Sequence, residues 1–396
     1  MTSTITISRQ SLRPDPSASA TITDVKPVAS YSWVEASNPT IAVPGVPPQW
    51  SPPATSRQLP KDSGMIYIAQ NAARHPTSPM EPLFRALEIE DPTFDLRSVD
   101  VVSDRNNIRK LLSFIDPDSS RNGLEPFTIN VEVVGNTMIL NRTETKTYEI
   151  IGPQEFRGFG HEFEKAYTKC EIGDSTGHHR IVSYRFGGLK FLVRHEVDGY
   201  VKGLAGSASS SRSKGQEADS LSSLLGSLSL SGPANTTNSK SPPKTIKPAG
   251  SKLTIRKEGH AVPLQSTLEI KTRVAHKPLV FSEITTQLWA SQTPKLVRAY
   301  HRRGVFEKPQ VEDVMPQIRA WERDHQTHLR ELALLLKKMV AAVKEQGGGA
   351  VLKYDVVTDR LSITKAKGGR LLPGDLYKKW EMRDGDGKEG EGEGED

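Results

Sequence analysis

The stretch FLVRHEVDGY, residues 191–200, decides how the rest of the chain is read. Side chains of a strand alternate between its faces, so Phe191, Val193 and Val197 lie opposite Arg194, Glu196 and Asp198. Two carboxylates then project together near the strand's end. The stretch STLEIKTR, residues 266–273, has the same character: Leu268 and Ile270 face one way, Glu269 and Lys271 the other. If these two strands pair, three carboxylates and one ammonium converge.

Such a cluster suits Mg²⁺ or Mn²⁺, hard cations that prefer oxygen ligands and keep positions open for water and phosphate. A cation there activates water and neutralises charge developing on a phosphodiester, while Lys271 orients the nucleophile or stabilises a phosphorane-like transition state. The expected catalytic residues are Lys271, Glu269 and Asp198. Glu-x-Lys alone is a weak signal, since Glu144-Thr-Lys146 and the related Asp24-Val-Lys26 occur in the same chain. Taken singly, Glu269 and Lys271 are better explained as an ion pair on a half-exposed strand. The order of elements adds the weight: a helix glutamate, a strand Glu-x-Asp, a strand Glu-x-Lys, then a helix bearing glutamine.

In that order the chain resembles the DXO-like (RAI-type) decapping nuclease family, within the PD-(D/E)xK nuclease superfamily. Gly160-His-Glu-Phe-Glu164 is similar to the family's Gly-Tyr-Lys-Phe-Glu, Glu196-Val-Asp198 to its Glu-Val-Asp, and Glu269-Ile-Lys271-Thr to its Glu-Leu-Lys-Thr. Leu288-Trp-Ala-Ser-Gln292 is similar to its Trp-Ala-Gln, with the glutamine displaced by one residue, which leaves Gln287 as a rival. The resemblance spans roughly residues 156–306 outside an insertion. It implies an α+β fold with a mixed central sheet flanked by helices. It further implies metal ligation by Glu164, Glu196, Asp198 and Glu269, with Gln292 or Gln287 contacting substrate or water. Members of that family remove aberrant RNA caps and degrade RNA from the 5′ end. The family's upstream basic residues for that end are not located in this chain by sequence.

Composition frames this reading. The chain has 396 residues, 35% of them hydrophobic, with 27 prolines and 31 glycines, so one ordered domain with disordered segments is expected. Cys170 is the only cysteine, which excludes an internal disulfide and a thiolate zinc site and fits a reducing compartment. No apolar run is long enough to span a bilayer, and MTSTITISRQ has no signal core. Arg9 and Arg13 in a Ser/Thr-rich opening are in keeping with a mitochondrial presequence, against which Asp15 and Asp24 stand. The expected location is intracellular: nuclear, cytoplasmic or mitochondrial. The formal charge of +6 divides into −6 on Glu381–Asp396 and +12 on the remainder, which suits a polyanion such as nucleic acid; the resemblance implies RNA more than DNA. Ordinary solubility charge explains the balance equally well.

Along the chain, residues 1–78 are rich in Pro, Ser and Thr and read as disordered. Residues 79–202 and 253–380 form the nuclease-like domain, 203–252 a disordered insertion, and 381–396 an acidic Gly/Glu tail. Leu221, Leu224, Leu225, Leu228 and Leu230 form an apolar island in the insertion that suits a protein partner. Within the domain, VDVV leads to a helix with a buried stripe of Ile108, Leu111, Leu112 and Ile115, Arg109 and Lys110 pointing away. Gly135-Asn136 turns a hairpin, and one long amphipathic helix runs from about Glu312 to Lys344.

Other polar signals are read more plainly. His178-His179 is expected in a solvated turn, His161 at the surface, and His325 and His328 on a surface face. Trp289 and Trp321 are expected in the core. The run Arg298, His301, Arg302, Arg303 is divided evenly between a phosphate grip and a solvated turn, and makes Arg298 and Arg302 substrate candidates. Two other functions compete: a catalytically retired version of the fold binding RNA or protein, and a regulatory protein acting through its tails. A prenyl (geranylgeranyl) diphosphate synthase is excluded, because that chemistry needs two Asp-rich helical motifs. The nearest match is Asp384-Gly-Asp386 in the tail, and the chain is too strand-rich.

Overall fold

The computed structural model describes residues 4–119, 123–203 and 243–381. The N-terminal part supplies β1 (Ile5–Ile7), β2 (Thr23–Val34), β3 (Thr40–Gly45), β4 (Gln49–Trp50), β5 (Gly64–Tyr67), α1 (Gln70–Arg74) and α2 (Glu81–Glu90). Then follow β6 (Val101–Asp104), α3 (Arg105–Ile115), β7 (Phe127–Val134), β8 (Thr137–Thr143) and β9 (Tyr148–Ile151). The motif-bearing middle is α4 (Gly160–Tyr167), β10 (Thr168–Lys169), β11 (Ser175–Phe186), β12 (Leu189–Glu196), β13 (Gly199–Tyr200), β14 (Thr245–Ile246), β15 (Thr254–Gly259), β16 (Thr267–Val274) and α5 (Ser282–Ser291). The chain ends with β17 (Lys295–Arg302), β18 (Val305–Phe306), β19 (Val311–Asp313), α6 (Met315–Asp324), α7 (Gln326–Glu345), β20 (Gly349–Asp355), β21 (Arg360–Lys365) and α8 (Gly374–Tyr377).

The strands form a mixed α+β architecture, as expected, but with two main sheets in place of one. The large sheet runs β1-β21-β20-β7-β8-β6-β12-β11-β2-β3-β15-β14. The smaller runs β10-β4-β13-β16-β17-β18, with β19 also on β17, and β5 and β9 make a separate ribbon. One face of the large sheet buries Val182, Val193 and Phe191 against α3, α5 and α7 through Leu111, Leu288 and Leu332. The other packs Tyr31, Ile181 and Leu192 against Leu83 and Leu87 of α2 and Leu376 of α8. The smaller sheet covers Phe163 and Tyr167 of α4 with Leu268, Ile270 and Val297. In the elements of the two main sheets and the helices packed on them, the periodic apolar positions are those buried.

Several expectations are corrected. Residues 1–78 are not a disordered region in their described part. β2 is an interior strand between β11 and β3, and Ala29, Tyr31 and Trp33 are buried. The prolines misled because they sit where pairing is irregular or ends: Pro27 at a register shift against β11, Pro44 near the end of β3. The C-terminal end of the expected insertion is also ordered, with β14 pairing β15; its leucine island and the acidic tail beyond Glu381 lie outside the described residues. The single long helix is two, α6 and α7, separated at His325. Near that break Gln326 bonds the amide and carbonyl of Ala20, and Glu322 takes the Ile22 amide, so the helices wrap the N-terminal segment. His178 and His179 are buried in β11, not in a turn.

Candidate active site

β12 and β16 do not pair. β12 ends at Glu196, and the chain then leaves the large sheet: two residues on, β13 joins the smaller one, with Gly199 opposite Leu268 and Tyr200 opposite Thr267. Gly199 permits this crossing, because a Cβ there would stand 3.0 Å from the Pro48 carbonyl oxygen and 3.3 Å from Leu268. Asp198 lies at the junction and its Oδ2 accepts the Ile270 amide at 2.7 Å. The Glu-x-Asp and Glu-x-Lys pairs therefore meet where one strand path passes between two sheets.

Glu269 occupies the centre and is 2% exposed. Its Oε1 accepts from the Lys271 ammonium and from the Gln287 amide of α5, and its Oε2 accepts from Arg105 at 3.0 Å. Burial alone would raise its carboxyl, but Lys271 and Arg105 override that and hold it down to about 2. Lys271 is in turn held protonated: burial works against it, and Glu269 and Asp198 outweigh burial.

The other three carboxylates behave oppositely. Burial, then the charges of Asp198 and Glu196, raise Glu164 well above the carboxylate range. Burial and the Glu269 charge push Asp198 up to about 7. Glu196 opens to solvent at the rim, yet crowding by protein and the Glu269 charge raise it despite Arg105 nearby. Glu164 is aimed by α4, whose Glu162 amide is bonded by the Asp62 carboxylate at 2.9 Å, so a residue of the N-terminal region positions it.

The donor set fits a hard divalent cation. The Glu164 and Glu196 carboxylates have no hydrogen-bond partner among the described residues, and Asp198 has one oxygen unspent, while Glu269 is fully engaged. In this arrangement no three His, Cys, Asp or Glu among the described residues converge closely enough to hold a metal ion. Glu269 becomes a fourth ligand only by releasing Lys271, Gln287 or Arg105.

The remaining candidates divide. Gln287 is in the site. Gln292 is not: it caps α5 in the left-handed conformation with φ 53°, and its Nε2 bonds back to the Trp289 carbonyl at 2.7 Å. Arg298 lies opposite Lys271 in register but leans toward Glu312 and the Phe281 ring. Arg302 is exposed on the β17–β18 hairpin. Trp289 is core, its indole bonded to Glu322 at 2.7 Å. His161 is half-exposed beside Asp62.

Sequence reading missed Arg105, and it turned Arg109 away from the apolar stripe, as found, without giving it a role. Both sit on α3, entered straight from β6, and line a cleft of about 180 Å³ with Arg142, Asn106, Tyr67 and Glu196. A basic residue directly after a short apolar strand was the available signal. Arg109 turns from the apolar stripe of α3 toward this cleft, where burial, then Arg105, lower its proton affinity. Arg194, read as sharing the carboxylate face, is buried and paired with Asp104 at 2.6 and 2.9 Å, tying β12 to β6. A second cavity, about 350 Å³, lies across the cluster against Glu164, Lys271 and Gln287.

The profile of the family described as "Domain of unknown function (DUF8563)" matches residues 3–367. No curated protein matches the chain in sequence. Among solved structures it is similar to Rai1 of S. pombe, with TM-score 0.54 and 13% identity over 92% of this chain and 100% of that one. It is also similar to Scheffersomyces stipitis Rai1 in complex with (3′-NADP)⁺ and calcium ion, with TM-score 0.57 and 11% identity over 96% and 98%. A third likeness is to Candida albicans Rai1 in complex with pU5 and Mn²⁺, with TM-score 0.50 and 11% identity over 93% and 99%. These are likenesses of fold, and they bear out the resemblance carried by the motifs.

Proposed function

We propose that this chain, which belongs to the DUF8563 family and shares its fold with the Rai1 structures, is a divalent-metal-dependent phosphodiesterase acting on RNA, at or near a 5′ end. One observation carries the reading. A buried glutamate is clamped between a lysine and an arginine, beside three carboxylates whose proton affinity burial and neighbouring carboxylates raise. Nothing about folding calls for such crowding, since each buried charge costs desolvation. The calcium and manganese in the S. stipitis and C. albicans Rai1 complexes support the same kind of cation, and the pU5 ligand supports a single RNA strand.

Glu164, Glu196 and Asp198, not close enough together in this arrangement, would draw in around the cation, joined by Glu269. When bound it would supply an activated water and a counter-charge for the phosphodiester. Arg105, Arg109 and Arg142 line the way in and bind phosphates along the strand. Lys271, protonated, places a fixed positive charge where the pentacoordinate phosphorus develops negative charge. Gln287 holds the Glu269 carboxylate in one orientation. An intracellular location, nuclear, cytoplasmic or mitochondrial, fits a polyribonucleotide substrate.

The test is incubation of 5′-labelled RNA and DNA with Mg²⁺ or Mn²⁺, comparing wild type with Glu269→Ala and Asp198→Ala. Wild type should cleave RNA, and each variant should lose roughly 100- to 1,000-fold in kcat. Equal rates in all three would defeat the assignment. A retired fold that binds RNA without cutting is the second reading, favoured by the full engagement of Glu269. It predicts binding without hydrolysis under either metal.

A further inference from the structure

The ribbon formed by β5 and β9 carries a face that folding does not explain. Met65 stands opposite Ile150 and Tyr67 opposite Tyr148, and directly opposed residues share a face. Met65 is 55% exposed, Tyr148 49% and Ile150 70%. Large apolar side chains normally leave such positions to polar ones, and a contiguous exposed group marks an interaction surface. Beyond the end of β9, Phe156 is 59% exposed.

Two features say what this face receives. First, the ribbon borders the cleft: Tyr67 and the adjoining Ile68 line it together with Arg105, Arg109 and Glu196. Its other end runs through Asp62, whose amide bonds the Gly158 carbonyl and whose carboxylate holds the α4 helix that bears Glu164. Second, cations accompany the rings: the Lys61 ammonium is 5.5 Å over Phe156, and the Arg74 guanidinium, paired with Glu35, is 5.0 Å over Tyr67 and steadies that ring, while Arg105 and Arg109 supply the charge in the cleft. Apolar and aromatic surface interleaved with positive charge is the combination that binds an unpaired nucleic-acid strand, bases on the rings and phosphates on the cations.

We propose that the β5–β9 ribbon is a stacking platform for nucleobases of the single strand whose phosphodiester lies at the carboxylate cluster. The inference rests on the function proposed above and adds the contact by which the strand is held. Tyr67 and Tyr148 take the base next to the cleft, and Met65 and Ile150 support those further out. Four residues of strand span roughly 13 Å, which accommodates about four bases at the roughly 3.4 Å spacing of a stacked strand.

The experiment compares a fluorescent ten-nucleotide oligouridylate with an abasic ribose-phosphate strand of equal length, by anisotropy in Ca²⁺. The proteins are wild type, Tyr148→Ala/Ile150→Ser and Tyr148→Trp, all at exposed positions. Hydrolysis of bis(p-nitrophenyl) phosphate in Mn²⁺ is measured alongside. Wild type should bind the base-bearing strand roughly tenfold more tightly than the abasic one. The double variant should lose that preference, Tyr148→Trp should keep it, and hydrolysis of the small diester should persist in both. Equal binding of the two strands by wild type, or an unchanged preference in the double variant, would overturn the platform while small-diester hydrolysis leaves the proposed function standing. If wild type neither hydrolyses the diester nor binds either strand, both fall. A dimer in sedimentation that dissociates in the double variant would mean that a second copy covers this face, and would also overturn the platform.

Discussion

Asp198 shows how one residue joins fold and site. Its backbone turns the chain from the large sheet to the small one, and its side chain accepts the Ile270 amide. Burial and the Glu269 charge push it from an ordinary 3.8 to about 7. The folded protein therefore binds this proton more tightly than the unfolded chain. That contribution to stability is present below the ordinary value and is lost as pH rises through about 7. Glu269 has the opposite sign: held down to about 2, it contributes stability above its ordinary 4.5 and loses it only as pH falls through about 2. Asp198→Asn keeps an acceptor for Ile270 and removes the charge. In EDTA its melting temperature relative to wild type should rise between pH 5 and pH 8, by several degrees; parallel pH profiles would dismiss the assignment. The residue types of this site were legible in sequence, but Gln287 against Gln292 was not. Spacing along a helix cannot tell which glutamine points at the site and which turns back to cap the helix end.

At the scale of elements, β2 and the α6–α7 junction depend on each other. Glu322 accepts both the Trp289 indole and the Ile22 amide, just before β2. Glu322→Ala leaves two buried donors unpaired and should cost about 2–4 kcal/mol in urea denaturation. Glu322→Gln, which keeps an acceptor, should lose less than half of that. Removal of residues 1–78 should yield protein that fails to fold, because β11 would lose β2, one of its two partners, along most of its length and be left as an open edge. Circular dichroism of that truncated protein matching the full chain would refute this. The hairpin at Gly135 was readable because positive φ at this glycine is demanded locally. The N-terminal strands were not, since pairing with distant segments outweighs a Pro- and Ser-rich local preference.

At the scale of the whole molecule, charge is organised around the cleft. The body's excess of Lys and Arg is visible in composition, but only the packing of α3 beside β8 and β12 places Arg105, Arg109 and Arg142 along one cavity. If Arg109 contacts a phosphate, Arg109→Ala should weaken binding of all single strands alike and lower the slope of log K against log salt by roughly 0.7. An unchanged slope would remove Arg109 from the path. By itself the sequence determined the periods of the motif-bearing strands and of α3, and the carboxylate and lysine pairs, because each is encoded in spacing over a few residues; the mixed α+β class followed from the resemblance that the order of those motifs carries. Only the tertiary structure decided that Glu196-Val-Asp198 and Glu269-Ile-Lys271 meet at a crossing between two sheets, that Asp62 and β2 support them, and that Arg105 completes the clamp on Glu269. Those contacts join residues far apart in the chain, and burial and charge, not local propensity, select them.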